Sequence, residues 1–254
     1  MLTEERQRQI LELLKVRQSV TVAFLSRNLY ASEASIRRDL NQMSQRGLLR
    51  RLRGGAALLE GINNDAPLLV RAALNRERKE RIACLALELI RNSSAIFMDS
   101  SSTVTALAEK LDRFHNLTVV TNGLVTLNTL NEFPAVKLIC SGGLLQNNAS
   151  FVGQLAEEAF RSRRAELAFF SCCGLSGEFG ASEAREETAS LKRAMLRGAK
   201  KRVLLCDRTK VGEDYFCRSC GLEEIDVLVT DQAPPPELEQ AFREKSPQGQ
   251  IIWR

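Results

Sequence analysis

The stretch that decides the fold runs from residue 31 to residue 55 and reads ASEASIRRDLNQMSQRGLLRRLRGG. Within it, Ile36, Leu40 and Met43 recur at helical spacing, so they form one narrow apolar stripe on a predicted helix. Arginines recur through the same stretch, and a second arginine cluster follows the helix and ends in two glycines. The polar outer face of this helix and the basic turn behind it need a common explanation.

A first helix and a short second helix precede this helix, with inward positions predicted at Ile10, Leu11, Leu14, Val22, Leu25 and Leu29. Residues 30–31 are predicted to form the turn before the third helix. We expect Ser32 to cap that helix and Gly47 to end it. Helix, helix, turn and helix in this order predict a helix-turn-helix unit.

The outward face of the third helix carries hydrogen-bond donors and one small residue, and it has no carboxylate at its centre. Such a helix fits a major groove about 12 Å wide, with its first turns nearest the bases. Residues 48–51 are predicted to form a strand, and 52–56 a tight turn whose glycines allow close approach to a phosphate backbone. The pattern indicates a winged helix-turn-helix. Its predicted DNA contacts are Ser32, Glu33, Ala34, Ser35, Arg37, Arg38, Asn41, Gln42, Arg50, Arg51, Arg53, Gly54 and Gly55.

The positive charge of the chain is confined to its first quarter. Residues 1–60 hold eleven Lys and Arg against six Asp and Glu, whereas the remainder holds 25 of each sign. A polyanion such as double-stranded DNA is the natural partner of a module charged in this way. The alternative is a merely solvated basic face, with Asp39 neutralising one of its arginines.

Composition places the chain among soluble globular proteins, with 44% hydrophobic and 26% charged residues in 254. No apolar run approaches the roughly 18 residues that a membrane span requires. The first ten residues are charged throughout and do not resemble a signal peptide. We therefore expect a cytoplasmic protein without membrane contact.

Seven cysteines without a secretory context predict reduced thiols. Cys140 and Cys206 end apolar runs, so we expect both to be buried. Cys217 and Cys220 have CxxC spacing, and a zinc site built on them would need two more ligands, which residues 172–173 could supply. Ordinary thiols are the favoured interpretation, so we expect neither a metal nor a cofactor.

Beyond residue 67, apolar runs alternate with amphipathic helical stretches such as those at 102–111, 150–160 and 189–201. The apolar runs lie at 95–98, 117–121, 136–140, 167–171, 202–206, 226–230 and 250–253. This alternation predicts a Rossmann-like α/β domain with a mostly parallel sheet covered on both faces.

Polar or glycine-rich residues follow five of these runs, and in a parallel sheet they meet at one edge, where ligands bind. The serine-rich turn 100–103 offers hydroxyls and N–H groups to a phosphate. Lys192 and Lys210 are plausible partners for an anion. In the alternative interpretation the serines are only helix caps and Lys192 is a solvated lysine. Gly174 joins the candidates because it follows the fourth run.

Residues 3–57 resemble the N-terminal domain of DeoR-family bacterial transcriptional regulators, through RQRQILELL, SVTVAFLSRNLYASEASIRRDLNQMSQRGLL and RRLRGGA. Arg53 departs from the family, which usually carries histidine before the glycines. The resemblance continues over about 75–231 through DSSSTVTALAEKL, VVTNGL, SGGLLQNNASFVGQLAEE, ETASLKRAM and DRTKVG. Residues 172–173 depart from the small or acidic residues common in the family after this strand.

That family's sensor domain resembles the sugar-phosphate isomerase fold and generally senses phosphorylated sugars or related metabolites. The resemblance implies effector contacts at Asp99, Ser100, Ser101, Ser102, Thr103, Asn122, Gly142, Gly143, Lys192, Asp207 and Lys210. It implies a regulator and not an enzyme.

The predicted organisation is a DNA-binding domain at 1–58, a linker at 59–74 and an effector-sensing and oligomerisation domain at 75–254. We expect a repressor of a carbohydrate-metabolism operon that binds a palindromic operator as a homodimer or homotetramer, because two-fold pairing doubles the phosphate contacts. Two alternatives remain. The first is a sugar-phosphate isomerase-like enzyme with a basic appendage, for which Glu183, Glu186, Glu187 or Asp99 would supply the base. The second is a redox sensor that uses Cys172 and Cys173 or Cys217 and Cys220.

Overall fold

A computed structural model describes residues 3–17, 19–46, 48–52, 54–57, 68–147 and 149–254. Gly47, Arg53 and residues 59–67 of the predicted linker lie outside the described residues. The chain divides into two compact units between Leu74 and Asn75. Each unit has a hydrophobic core of its own.

The first unit is a helix-turn-helix with a three-stranded sheet. Its elements are α1 (Thr3–Arg17), β1 (Ser19–Thr21), α2 (Val22–Asn28), α3 (Glu33–Gln45), β2 (Arg50–Leu52), β3 (Gly55–Ala57) and α4 (Leu68–Ala73). The hydroxyl of Ser32 accepts a hydrogen bond from the backbone N–H of Ser35 at 3.2 Å, which confirms the predicted cap of α3. Thr21 caps α2 in the same way by accepting from Phe24 N at 3.1 Å.

The core of this unit contains every inward position that periodicity predicts in its three helices. Ile36, Leu40 and Met43 are fully buried, and they pack with the apolar faces of α1 and α2. The predicted strand at 48–51 is displaced, because Leu48 and Leu49 are buried in the core and β2 begins at Arg50. Burial of consecutive residues breaks the alternation that a strand would show.

Two further elements of the first unit were not expected. β1 pairs antiparallel with β3, and the strand order is β1-β3-β2. Three residues are too few for a period-two pattern to stand out, which is why β1 escapes prediction. Helix α4 lies inside the stretch that was predicted to be a linker, and its first residue, Leu68, is buried.

The second unit contains a seven-stranded sheet in which every neighbouring pair is parallel, in the order β15-β14-β12-β9-β4-β5-β6. These strands are β4 (Ala95–Met98), β5 (Leu117–Thr121), β6 (Val136–Cys140), β9 (Ala165–Phe170), β12 (Ala199–Leu205), β14 (Val227–Val229) and β15 (Gln250–Ile252). The helices are α5 (Arg76–Leu87), α6 (Ser102–Ala108), α7 (Leu124–Asn131), α8 (Gln154–Arg161), α9 (Glu186–Arg197) and α10 (Pro236–Lys245). All seven apolar runs therefore contain strands, as predicted.

Helices cover both faces of this sheet, because side chains alternate along each strand between two core clusters. In β4, Ile96 and Met98 belong to a cluster with α5, α6 and α7, whereas Phe97 belongs to a cluster with α8, α9 and α10. The Phe97 ring meets that of Phe160 edge-on, with the ring centroids 5.1 Å apart. Burial on both faces explains why the strands read as continuous apolar runs.

Two small antiparallel sheets complete the second unit. A hairpin joins β7 (Leu144–Gln146) to β8 (Ser150–Val152), and a three-stranded sheet has the order β10 (Gly174–Ser176), β11 (Gly180–Glu183), β13 (Cys217–Cys220). The segment 150–160, predicted as helical, therefore begins with a strand. Gly153, with φ at +90°, turns the chain from β8 into α8. No helix among the described residues is long and apolar enough to cross a membrane.

The two adjacent glycines of the wing allow a stability test. A methyl group on Gly55 would lie 2.2 Å from the carbonyl oxygen of Val20, whereas one on Gly54 would meet nothing within 4 Å. Gly54→Ala should cost about 1 kcal/mol through its positive φ alone. Gly55→Ala should cost more, about 3 kcal/mol, because it forces β3 away from β1. Urea unfolding followed by circular dichroism measures both, and equal losses would contradict this packing role of Gly55.

Candidate functional site

The outer face of α3 is exposed as the periodicity predicts. Ala34, Arg37, Arg38, Asn41 and Gln42 are all exposed, whereas the stripe through Ile36 is buried. The centre of this face carries donors and a methyl group. A protein surface of this kind can hydrogen-bond to base edges and phosphates and can contact a thymine methyl group.

Several predicted DNA contacts are already bonded within the unit. Arg37 forms an ion pair with Glu33 at 3.0 Å, and Arg51 donates to Asn41 Oδ1 at 3.0 Å and to the carbonyl of Gly55. Arg51 thus joins the wing to α3 and fixes their relative position.

Two other arginines differ from Arg37 and Arg51 in their hydrogen bonding. Within the described residues, Arg38 and Arg50 are exposed and make no hydrogen bond or ion pair. Both guanidinium groups therefore keep all their donors for an external acceptor.

Asp39 does not neutralise an arginine of the outer face, so that part of the alternative is wrong. Asp39 is buried and bonds to Arg6 of α1, with Nε to Oδ2 at 2.5 Å and Nη2 to Oδ1 at 3.3 Å. The hydrogen bond to Asp39 raises the pKa of Arg6. This pair, together with the hydrogen bond from Gln7 to Gln42 at 3.1 Å, fixes α3 against α1.

The remaining predicted contacts have local roles as well. The hydroxyls of Ser32 and Ser35 lie 2.9 Å apart at the start of α3, where Ser32 is the cap. Gly54 is exposed with φ at +83°, which glycine adopts without strain. Gly55 is buried against β1, so packing and not DNA contact explains why glycine occupies this position.

In the second unit, the polar residues that follow β4, β5, β6, β9 and β12 lie at the carboxyl ends of parallel strands. The fold thereby brings Asp99, Asn122, Ser141, Ser171 and Asp207 to one edge of the sheet, with Lys192 and Lys210 beside them. Hydrogen bonds or ion pairs connect five of these seven residues to one another: Asp99, Ser171, Lys192, Asp207 and Lys210.

Lys192 is the centre of a buried charge network. Its ammonium lies 3.1 Å from Asp99 Oδ2, donates to the carbonyl oxygen of Ser171 at 2.6 Å and pairs with Glu183 Oε1. An ammonium group has three N–H donors, and these three acceptors use all of them. The solvated lysine considered from the sequence is therefore wrong, and no donor of Lys192 remains for a ligand.

The charge state of this network follows from its geometry. Burial by itself would lower the pKa of the Lys192 ammonium, but the carboxylates of Glu183 and Asp99 outweigh burial and raise it. Lys192 therefore stays charged at neutral pH. Asp99 is also fully engaged, since Oδ1 accepts from Ser101 N at 2.8 Å and Oδ2 from Ser171 N at 3.0 Å.

Lys210 keeps hydrogen-bonding capacity that Lys192 lacks. Its ammonium donates to Ser171 Oγ at 2.8 Å, and its other neighbours are more distant: Thr103 Oγ1 at 3.5 Å and Asp207 Oδ2 at 3.8 Å. Burial would lower the pKa of Lys210, but Asp207 outweighs it and raises that pKa. Lys210 is thus a partly exposed cation at the strand ends with incomplete hydrogen bonding.

Within the described residues, two buried oxygens at the same edge accept no hydrogen bond, although one of them, Asp207 Oδ2, lies 3.8 Å from the Lys210 ammonium. Asn122 donates through Nδ2 to the Phe151 carbonyl at 3.0 Å, but its Oδ1 accepts no hydrogen bond, and neither does Asp207 Oδ2. Leaving such groups unsatisfied costs about 1 to 3 kcal/mol each. A ligand that donates to these oxygens would recover that free energy.

The serines of the serine-rich turn 100–103 have different roles. Ser101 is the cap of α6, with its hydroxyl accepting from Val104 N at 3.3 Å, and Ser100 Oγ accepts from Asn122 Nδ2 at 3.4 Å. The buried hydroxyl of Ser102 carries no hydrogen bond within the described part of the chain. The capping alternative thus holds for Ser101 alone.

The three glycines predicted in the effector site are needed for different structural reasons. A methyl group on Gly174 would lie 2.1 Å from the carbonyl oxygen of Glu213, and one on Gly143 2.6 Å from that of Val152. Both positions therefore need glycine for backbone packing. Gly142 has φ at +67° with open space where a side chain would be, so its requirement is conformational.

Sequence reasoning missed three contributors to this site. Ser171 was assigned to a strand, yet its backbone and hydroxyl connect both lysines. Glu183, considered only as a general base, is the counter-ion of Lys192. Lys79 is buried on α5. Burial would raise the pKa of Asp207, but the ammonium of Lys210, the Thr209 hydroxyl and the ammonium of Lys79 outweigh burial and lower that pKa. Because these residues lie on separate segments, only the fold reveals their proximity.

The cysteines are all free thiols. Cys206 is buried as expected, but Cys140 is exposed, because β6 is an edge strand and Cys140 is its last residue. Burial and then the Glu183 carboxylate raise the pKa of Cys173, whose thiol donates to Glu183 Oε2 at 3.1 Å. Within the described residues, no group of three or more Cys, His, Asp or Glu side chains is arranged to hold a metal ion.

The Lys192 network predicts a large stability effect. Lys192→Met would leave two buried carboxylates without a counter-ion and should lower the free energy of unfolding by about 3 to 5 kcal/mol. The matched control is Lys200→Met, since Lys200 pairs at 2.7 Å with Glu166 on the surface and should cost at most about 1 kcal/mol. Denaturant unfolding compares the two, and similar losses would contradict the role assigned to Lys192.

Comparison with family models and known proteins assigns both units of the chain to one family. Residues 6–61 match the model of the DeoR-like helix-turn-helix domain, and residues 74–232 match that of the DeoR C-terminal sensor domain. The chain is 34% identical to the HTH-type transcriptional regulator GolR of Listeria innocua, over 94% of this chain and 95% of the relative. It is 30% identical to the glycerol-3-phosphate regulon repressor of Escherichia coli, over 94% of each.

A third relative, the HTH-type transcriptional repressor GlcR of Bacillus subtilis, is 32% identical over 92% of this chain and 90% of its own length. Among solved structures, ribose 5-phosphate isomerase A of Methanocaldococcus jannaschii aligns with 12% identity and a TM-score of 0.41, over 54% of this chain and 55% of that chain. The two family models together span most of the sequence and both of its units. The chain belongs to the DeoR family of DNA-binding transcriptional regulators.

Proposed function

We propose that this regulator is a repressor of a carbohydrate-metabolism operon and that a phosphorylated sugar or related metabolite controls its binding to DNA. The observation that carries the effector assignment is Lys210. It is a cation at the carboxyl edge of the sheet, with only one hydrogen bond shorter than 3.5 Å. Relatives named as repressors, one of them of a glycerol-3-phosphate regulon, support the same assignment.

The ligand chemistry follows from what this edge leaves unsatisfied. Lys210 offers positive charge for a phosphate, and the Ser102 hydroxyl offers one further hydrogen bond. Asn122 Oδ1 and Asp207 Oδ2 are acceptors that need donors, which the hydroxyls of a sugar supply. The proposed pocket residues are Asp99, Ser100, Ser101, Ser102, Thr103, Asn122, Gly142, Gly143, Gly174, Asp207 and Lys210, among which Asp99 and Ser101 act by positioning the others.

The proposed mechanism is a shift between two arrangements of an oligomer. We infer a homodimer or homotetramer on a palindromic operator, with one α3 in each half-site. An effector that binds one arrangement better stabilises it and thereby changes the spacing of the two recognition helices. The predicted domain limits, 1–58 and 75–254, assign DNA binding and effector sensing to separate parts of the chain.

Catalysis is not part of the proposal. Of the four carboxylates considered as a base, Asp99 and Glu183 are both paired with the Lys192 ammonium. Both carboxylates are therefore already occupied as counter-ions of a buried cation. Incubation with a panel of sugar phosphates and analysis for turnover tests this statement, and the isomerisation of any of them would contradict it.

Arg38 and Arg8 provide a matched test of DNA recognition. Arg38→Ala removes an unbonded guanidinium from the centre of the α3 outer face and should cost about 1 to 3 kcal/mol for each half-site. Arg8→Ala removes the same charge from α1, where Arg8 pairs with Glu5 at 2.7 Å, and should leave binding nearly unchanged. Mobility-shift titration on operator DNA measures both, and equal affinities would remove Arg38 from the interface.

Lys210 provides the test of effector binding. A thermal-shift screen against phosphorylated sugars, with inorganic phosphate as reference, should identify a ligand that raises the melting temperature of the wild-type protein. Lys210→Ala should lose that shift and should no longer release operator DNA with the ligand, while binding DNA normally without it. Lys245→Ala, which alters an exposed lysine bonded to the Gly177 carbonyl, is the control. A normal response in Lys210→Ala would show that the pocket assignment is wrong.

A further inference from the structure

Tyr30 is the most exposed of the large hydrophobic side chains that the structure describes in the first unit. Its side chain is 97% exposed, and it lies in the turn that joins α2 to α3. Within the described residues it makes no hydrogen bond or ring contact. A tyrosine in solvent is common on protein surfaces, so exposure alone assigns it no role.

The backbone at Tyr30 is strained, and this strain needs a reason. Its φ is +49°, in the left-handed region that costs a side-chain-bearing residue about 1 to 2 kcal/mol. Helix α2 ends here with the 6→1 hydrogen bond of a Schellman motif, in which Ala31 N donates to the Ser26 carbonyl at 3.2 Å. Glycine is the usual residue at the position that Tyr30 occupies in this motif.

The turn is held on both sides, so Tyr30 cannot relax into another conformation. The Ser26 hydroxyl donates to the carbonyl of Ala31 at 2.6 Å, and Ser32, the next residue, caps α3. No contact of the tyrosine ring within the described residues offsets the strain. Strained residues that the protein itself does not need are found at binding surfaces.

The position of Tyr30 limits what its side chain can reach. It precedes the cap of α3 by two residues, at the amino-terminal end of the helix that enters the major groove. Groups at this end of a recognition helix meet the edge of the groove, where phosphate oxygens accept hydrogen bonds from tyrosine hydroxyls and backbone N–H groups. A rigid aromatic ring carries its hydroxyl well beyond the backbone at a low cost in conformational entropy.

We propose that Tyr30 binds the DNA backbone by donating a hydrogen bond from its phenolic hydroxyl to a phosphate oxygen at the edge of the major groove. It thereby fixes the depth and orientation of α3, while the outer face of α3 contacts the bases. This inference rests on the role of α3 in DNA binding. It adds a neutral contact to the charged ones, so it contributes affinity without counterion release.

Three variants test the proposal. Tyr30→Gly relieves the backbone strain and removes the hydroxyl, so the melting temperature should rise by a few degrees while operator affinity falls about tenfold or more. Tyr30→Phe keeps the ring and the strain, so its melting temperature should be unchanged and its affinity should fall to a similar extent. The matched control is Ser93→Gly in the second unit, where Ser93 has φ at +61°; it should stabilise without changing affinity.

Affinity is measured by fluorescence anisotropy on operator DNA over a range of salt concentrations, and Tyr30→Phe should keep the salt slope of the wild type. Wild-type affinity in both Tyr30 variants would overturn the proposal, as would normal affinity in Tyr30→Phe alone, because the hydroxyl would then make no contact. A fall in both stability and affinity in Tyr30→Gly would also overturn it, by showing that Tyr30 supports the fold. If Arg38→Ala binds normally in the same assay, the fault lies instead with the assignment of α3.

Discussion

A single buried ammonium group organises the second unit of this regulator. Lys192 on α9 connects Asp99, which follows β4, to Glu183 at the end of β11 and to the carbonyl of Ser171 after β9. Three segments that are distant in the sequence therefore meet at one point, and removing the charge would leave two buried carboxylates uncompensated. Because Ser171 also accepts a hydrogen bond from Lys210, the same network positions the cation that we assign to the effector. The rigid network and the cation with spare donors are adjacent, which is the arrangement that a selective anion site requires.

In the first unit, the ion pair between Asp39 and Arg6 has a comparable role. Asp39 points inward from α3 and binds Arg6, so the one acidic side chain in the middle of the recognition helix lies away from the outer face. Arg51 then binds Asn41 and the wing. These bonds use some arginines to hold the unit together and leave others, such as Arg38, with all their donors. The basic surface thus contains arginines that are bonded within the unit and arginines whose donors are unused within the described residues, and net charge alone does not distinguish them.

The sequence predicted most of the architecture because periodicity and composition report burial directly. The stripe through Ile36 identifies the face of α3, and the continuous apolar runs identify strands buried on both faces. Elements that escaped prediction are short, like β1, or lie inside a stretch of misleading composition, like β8. The strand-end residues were also found, since a parallel sheet must bring them together. The roles of the two lysines could not be predicted. Lys192 and Lys210 look alike in the sequence, and they differ only in how many acceptors surround each ammonium in the folded chain.

In the proposed function, α3 and its wing bind a specific duplex site, and the sensor domain controls this binding. Footprinting of the full-length protein on genomic fragments, with and without the metabolite that raises its melting temperature, tests the claim most directly. We expect a two-fold symmetric protected site with half-sites about 34 to 36 Å apart, or a multiple of this spacing, and its loss when the metabolite is added. The absence of any protected site, or protection that survives deletion of residues 1–58, would contradict it.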